Sequence, residues 1–92
     1  MNTQDYTCTS TSDPRTQTLT FRWKPKAGKG FSVTVPQGAP PHVQKRSFSK
    51  QLYVHALRHA EAEFEGDDAA LPHQVALRAD EILVELAGMI NK

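Results

Sequence analysis

Two runs of alternating apolar and polar residues, separated by a short loop with two glycines, constrain this chain most. The apolar members of the two runs are Leu19, Phe21, Trp23, Phe31, Val33 and Val35. Because successive side chains of a strand point to opposite faces, each run places its apolar residues on one side. The glycine-containing loop between them predicts a β-hairpin with one apolar face and one face of threonines and Arg22.

The segment before the hairpin is rich in threonine and serine and alternates only weakly. Tyr6 and Cys8 can share one side of this segment, and Asp13-Pro14 after it is a turn signal. The pattern is typical of an edge strand or of a partly ordered arm. Pro36 ends the second run of the hairpin, because proline cannot donate a ladder hydrogen bond.

The hydrophobic period becomes helical in the second half of the chain. Residues 47–65 repeat apolar side chains at successive i+4 positions, and a second helical pattern runs from Leu71 to Ile90. Ser47 or Ser49 is the expected cap of the first helix. Gly66 is expected to close it, and Asp67 or Asp68 to cap the second.

These patterns together predict a single domain over residues 1–92. It consists of a basic β-rich part at 1–37, a proline-containing basic linker at 38–46 and an acidic two-helix part at 47–92. The expected fold class is α+β, in the order β-β-β-α-α. A small antiparallel three-stranded sheet, or a hairpin plus an arm, is covered by an antiparallel pair of helices.

Net charge is +1, but charge is divided unevenly along the chain. Residues 1–50 contain eight Lys and Arg against two Asp, and residues 51–92 contain three against eight acidic residues. Such a division predicts surfaces of opposite potential that orient a charged partner; solvation of each half is the alternative.

Several functional classes find no support in the residues. Cys8 is the only cysteine, so no internal disulfide forms, and no apolar run is long enough to span a membrane. His55 and His59 have the i, i+4 spacing of zinc ligands but lack the glutamate of a protease motif, and an exposed polar helix face is expected instead. We therefore predict a cytoplasmic binding protein that is not an enzyme and has no cofactor, no metal and no small-molecule substrate.

Charged residues supply the candidate contact surfaces. The predicted partner- or nucleic-acid-binding residues are Arg22, Trp23, Lys24, Lys26, Lys29, Lys45, Arg46 and Lys50. The predicted acidic contact residues are Glu63, Glu65, Asp67 and Asp68. Leu77 and Val84, seven residues apart on the second helix, are either scattered surface residues or a contact strip for another chain.

Two resemblances extend these predictions. The predicted sheet with Arg22 and Lys24 projecting from it, followed by a helix, resembles in outline the arm-binding domains of phage integrases, which implies a nucleic-acid-binding module. In size, divided charge and absence of a catalytic motif, the whole chain resembles small phage-encoded anti-CRISPR proteins that inhibit the type I-F surveillance complex. That resemblance implies stoichiometric binding to a host Cas protein complex with its guide RNA, with possible direct RNA contact, and a block of target DNA binding.

Overall fold

A computed structural model describes residues 5–91 of the chain. Three strands come first: β1 at Tyr6–Asp13, β2 at Thr18–Pro25 and β3 at Phe31–Pro36. Two helices follow, α1 at Pro41–Glu63 and α2 at Pro72–Gly88, and a short 3-10 helix at Met89–Asn91 continues α2. This order confirms the predicted α+β fold, β-β-β-α-α.

The sheet is antiparallel, with β2 between β1 and β3. Along its whole length β1 pairs with β2, from Tyr6 opposite Pro25 to Asp13 opposite Thr18, so the first segment is a strand and not an arm. The β2–β3 register places Trp23 opposite Phe31 and confirms that the apolar residues of the hairpin share one face.

The core lies between this apolar face and the helices. Its largest fully buried side chains are Trp23, Leu52, Ile82, Leu86 and Val33. The indole Nε1 of Trp23 donates a hydrogen bond to the Leu86 carbonyl oxygen at 3.0 Å. The Leu86 carbonyl also accepts from the Met89 N–H, and the bond from Trp23 fastens the end of α2 to the central strand.

The start of α1 corrects the predicted boundary. The helix begins at Pro41 and not at Ser47, with Pro40 as its N-cap residue, so most of the predicted linker at 38–46 is helical. Proline is well tolerated at the first helical position, since that N–H has no partner in a helix anyway. The Gln44 side-chain amide also donates to the Gln37 and Ala39 carbonyls, which ties the first turn to the chain before it.

The connection between α1 and α2 agrees with the sequence only in part. Gly66 has a φ of +83°, as expected for the left-handed residue that closes a helix. The predicted cap by Asp67 or Asp68 is wrong, because α2 begins later and its N-cap residue is Leu71. The Asp67 carboxylate instead accepts a hydrogen bond from the Ala69 N–H inside the turn.

The edge of β3 is covered by a side chain of α1. The Thr34 N–H donates to Gln51 Oε1 at 3.2 Å, and Gln51 Nε2 donates to the Thr34 carbonyl at 2.7 Å. The Gln51 amide therefore takes the place of a neighbouring strand at this position. Satisfying edge groups in this way limits pairing with other chains at β3.

Candidate nucleic-acid interface

The hairpin end of the sheet carries an open basic cleft. Its cationic lining residues are Arg22 and Lys24 on β2 and Lys29 in the β2–β3 loop, and Ser32 on β3 adds a hydroxyl. The cleft has a volume of about 510 Å³. We call these three cations with Ser32 the basic cleft. Three positive charges around one concave surface favour an anion as the ligand.

Glycines determine the shape of the loop beside the basic cleft. Gly28 has a φ of +95°, which L side chains rarely adopt, and it lets the chain reverse between the strands. A Cβ at Gly30 would collide with the Trp23 carbonyl oxygen, so only glycine lets the loop lie this close to β2. The sequence signal for both positions is the Gly28-Lys29-Gly30 segment.

Trp23 does not belong to this surface, which corrects the prediction. Its side chain is 0% exposed, stacks on Phe31 with ring centroids 5.3 Å apart and bonds to α2. Strand alternation is the cause, because Arg22 and Lys24 face outward only if the residue between them faces inward. Trp23 therefore has no ring face available for a base.

Lys26 lies apart from the cleft-lining cations although it is close to them in sequence. Its ammonium nitrogen is 3.8 Å from an Asp5 carboxylate oxygen, and its side chain is 82% exposed. Its backbone N–H donates to the Asp5 carbonyl. The structure thus separates Lys26 from Lys24 and Lys29, which line the cleft.

The outer face of the sheet continues from the basic cleft. A shallow depression of about 290 Å³ on this face is lined by Thr9, Thr11, Asp13, Thr18, Thr20 and Arg22. Arg22 lines both the depression and the cleft, so the two form one surface. The sequence placed threonines on this face but did not assign the β1 threonines to a site; the two-residue spacing of Thr7, Thr9 and Thr11 was the available signal.

The second predicted basic cluster lies elsewhere. Lys45 lines an apolar pocket of about 270 Å³ with Leu19 and Phe48. Leu19 is five residues from Lys24 on β2, which corresponds to about 17 Å along a strand. Arg46 and Lys50 are exposed on the first half of α1. Lys45, Arg46 and Lys50 therefore do not form one patch with the basic cleft.

The acidic residues near the α1–α2 turn have different environments. Arg78 binds Glu63 through two hydrogen bonds of 2.7 and 3.1 Å and binds Glu81 through a third. The hydrogen bonds from Arg78 are the largest cause that lowers the pKa of Glu63, to about 2. Glu63, a predicted acidic contact residue, is therefore engaged in an ion pair between α1 and α2.

The remaining acidic residues of the turn, Glu65, Asp67 and Asp68, are exposed. Phe31, which follows the hairpin loop, lies 6.0 Å from His59 between ring centroids, and His59 is one turn from the end of α1. The acidic turn and the basic cleft thus lie at the same end of the molecule.

His55 and His59 pack against the sheet, which corrects the expected exposed polar face. His55 stacks on Phe31 with ring centroids 4.4 Å apart, and His59 Nε2 lies within hydrogen-bonding distance, 3.4 Å, of the Tyr6 hydroxyl. Partial burial lowers the pKa of both imidazoles. Within residues 5–91 no group of three or more His, Cys, Asp or Glu side chains is arranged to hold a metal ion.

Comparison with protein-family models, with curated proteins and with solved structures found no match to this chain. In the described part of the chain, no helix combines the length and apolarity needed to cross a membrane. The resemblances to integrase arm-binding domains and to anti-CRISPR proteins therefore stay predictions.

Proposed function

We propose that this chain is a binding protein without catalytic activity that holds the phosphate backbone of a nucleic-acid duplex. The contact surface is the basic cleft together with the outer face of the sheet. The observation that supports this function best is the convergence of Arg22, Lys24 and Lys29 on one open cleft that continues into a face of hydroxyl groups. Cations and hydroxyls are the side-chain groups that most often contact phosphate oxygens.

The surface favours backbone contact over base stacking. Binding of single strands usually depends on exposed aromatic rings on which bases stack. Trp23 is buried, and Phe31 at the cleft uses its ring to stack on Trp23 and His55. The outward residues of the three strands are polar, apart from Pro36 at the end of β3. A backbone ligand fits these residues better than an unstacked base.

The dimensions of the sheet also fit a duplex. Three strands at a spacing of about 4.8 Å place the outer strands about 10 Å apart. The major groove of B-DNA is about 12 Å wide and admits a two-stranded β-ribbon. Two neighbouring strands of the sheet can therefore lie along a groove while Lys24 and Lys29 at the hairpin end contact the backbone.

Paired alanine variants test this proposal. Lys24→Ala with Lys29→Ala removes two cleft cations, and Lys26→Ala, in the same loop but paired with Asp5, is the matched control. Duplex binding is measured by fluorescence anisotropy across a salt series. We expect the double variant to reduce the slope of log K against log salt by about 1.8 and the affinity by roughly tenfold per lysine near 0.1 M salt.

The control variant Lys26→Ala should keep most of the affinity for the duplex and most of the slope of log K against log salt. Equal losses in the double variant and in Lys26→Ala would show that general charge, and not the cleft, binds the duplex. No measurable binding of the folded wild-type chain to duplex at low salt would exclude the function.

The acidic turn favours a second candidate function. Glu65 and Asp68 lie at the same end as the basic cleft, where a long duplex would meet their negative charge. A ribonucleoprotein presents both phosphates and cationic protein, so it fits both surfaces. This arrangement supports an inhibitor that binds a type I-F Cas protein complex with its guide RNA and blocks target DNA binding.

Charge reversal of the acidic turn should change binding in opposite directions for the two candidate functions. Glu65→Lys with Asp68→Lys should strengthen duplex binding if the chain is a nucleic-acid module, because it removes repulsion. The same variant should weaken capture of a purified type I-F complex if the chain is an inhibitor. Wild-type capture in a fixed stoichiometry, with no binding to free duplex, would favour the inhibitor.

A further inference from the structure

The outer edge of β1 is an unprotected strand edge. Within residues 5–91 the sheet has the order β1-β2-β3, so β1 pairs with β2 on one side and with no described strand on the other. Open edges usually carry a lysine, a proline or a bulge that prevents pairing with another chain. From Tyr6 to Ser12, β1 has no charged residue and no proline, and its register with β2 is continuous. The β3 edge differs, because Gln51 bonds to it.

The ladder between β1 and β2 determines which backbone groups face the open edge. In an antiparallel pair, hydrogen-bonded positions alternate with positions whose N–H and C=O groups point away from the neighbouring strand. The Lys26 N–H donates to the Asp5 carbonyl at 3.1 Å, so the position of Asp5 is hydrogen-bonded, and that of Tyr6, opposite Pro25, is not. By alternation, the residues whose backbone groups point to the open edge are Tyr6, Cys8, Ser10 and Ser12.

We infer that two copies of this chain pair antiparallel along β1, about a two-fold axis at Thr9. Tyr6 then lies opposite Ser12 of the second copy, and Cys8 lies opposite Ser10. In this register all the edge N–H and C=O groups of these four residues find partners, and each contact forms twice, as a two-fold interface requires. An axis at Cys8 or at Ser10 leaves one of the four residues without a partner in β1 of the second copy.

The outer face of β1 suits this register. Thr9 lies opposite Thr9 of the second copy, and Thr7 lies opposite Thr11. Threonine pairs of this kind stabilise neighbouring strands. All three threonines are exposed, so their side chains are available at the joined edge.

The inner face of β1 leaves space for the helices of a second copy. Tyr6 and Cys8 are partly buried against the core, but Ser10 and Ser12 are exposed. The helix layer therefore covers only the first half of β1. Antiparallel pairing places the exposed half of each copy beside the covered half of the other, so the two helix layers lie at opposite ends of the joined strands.

Charge opposes this dimer only weakly. Asp13 comes opposite Asp5 of the second copy, although that Asp5 is 3.8 Å from its own Lys26. Arg22 lies opposite Thr9 in the β1–β2 ladder, so the two copies of Arg22 are separated by three strand spacings, about 14 Å. Salt screens such like charges at the surface. Salt should therefore not weaken the dimer, whereas it weakens duplex binding.

The size of the joined edge indicates a reversible dimer. The eight residues of β1 extend over about 27 Å, and a sheet is about 10 Å thick. The contact covers about 270 Å² per copy, well below the roughly 800 Å² per partner of a standard interface. Covalent trapping is therefore the suitable assay.

Single cysteines on the outer face of β1 test both the pairing and its register. The background variant is Cys8→Ala, which removes the only native thiol. In this background Thr9→Cys places two thiols at the axis, where facing Cα atoms are about 4.5 Å apart, within the range of a disulfide. Thr7→Cys and Thr11→Cys are the matched controls, because in each the two thiols are four residues apart along the joined strands, about 14 Å.

The measurement is the rate of disulfide crosslinking in oxidised glutathione, followed by non-reducing gel electrophoresis in the absence of nucleic acid. Thr9→Cys should crosslink roughly tenfold faster than either control, because pairing raises the effective concentration of the thiols. An equimolar mixture of Thr7→Cys and Thr11→Cys places unlike chains with facing thiols and should also crosslink faster than either control alone. Circular dichroism of the reduced variants establishes that each is folded.

Two results would overturn the inference. One is crosslinking of folded Thr9→Cys that is no faster than crosslinking of the two controls. The other is a mixture of Thr7→Cys and Thr11→Cys that crosslinks no faster than the separate variants. The inference does not rest on duplex binding, so neither result decides whether the basic cleft binds a duplex.

Discussion

Replacement of Trp23 by phenylalanine tests how the helix layer is held on the sheet. Trp23 is fully buried on the central strand, and its Nε1–H bonds to the Leu86 carbonyl at the end of α2. Phenylalanine keeps an aromatic ring opposite Phe31 but removes the N–H and two ring carbons. The variant thus loses the connection between β2 and α2 without introducing a polar group into the core.

The expected loss of stability follows from these two changes. Two buried carbons at roughly 0.8 kcal/mol each and one hydrogen bond at about 1 kcal/mol give about 2.5 kcal/mol. A domain of this length has a free energy of unfolding of roughly 5–15 kcal/mol, so the loss is a large fraction of it. With a urea m value of about 1.2 kcal/mol per molar, the unfolding midpoint should fall by about 2 M.

Urea unfolding followed by far-UV circular dichroism is the suitable assay, because the chain has a single tryptophan and the variant loses its fluorescence. Tyr53→Phe is the matched control, since it removes a polar group from a half-buried aromatic residue on α1 and should change stability by less than about 0.5 kcal/mol. A loss below about 1 kcal/mol for Trp23→Phe would refute the role given to the indole. Weaker duplex binding by the folded variant would contradict its exclusion from the interface.

Two further predictions concern local stability. Leu71 has the extended backbone of an N-cap residue, and its N–H already donates a hydrogen bond to the Gln74 side-chain oxygen at 2.9 Å, so Leu71→Ser should complete a capping box. Relative to Leu71→Ala, thermal unfolding should show a gain of about 1 kcal/mol, and an equal stability of the two variants would contradict the cap. Burial lowers the pKa of His55 and His59, so the unfolded chain binds more protons than the folded chain below pH about 6.5. The free energy of unfolding should therefore be highest above that pH and should decrease as the pH falls below it. In urea unfolding, His55→Gln with His59→Gln should make this decrease smaller, and the control variant His73→Gln should show the same decrease as the wild type.

Much of the fold was predictable because it depends on local periodicity. Alternation at residues 19–23 and 31–35 predicted both strands and their shared apolar face, and glycine at position 66 predicted the end of α1. The start of α1 was not predictable in the same way. Pro40 and Pro41 would interrupt the interior of a helix, but proline suits the first helical position, and α1 begins at Pro41 with the Gln44 side chain bonded to the Gln37 and Ala39 carbonyls.

The candidate site was predictable only in part. Arg22, Lys24 and Lys29 were identified from sequence and do line one cleft, while Trp23, predicted as a ring on which a base could stack, is buried. Strand alternation is sufficient to exclude Trp23 from the surface, since a residue between two outward cations must point inward. The separation of Lys24 from Lys45 could not be predicted from the sequence, because it depends on where α1 lies on the sheet.

The sequence by itself determined the type and order of the hairpin strands and the two helices and the apolar face of the hairpin, since these follow from side-chain spacing over a few residues. Only the tertiary structure decided which charges act together. It separated Lys26 from Lys29, paired Glu63 with Arg78 and set the acidic turn at the same end of the molecule as the basic cleft. These relations depend on contacts between residues far apart in the chain, and the geometry of such contacts is set by core packing around Trp23, which no local pattern encodes.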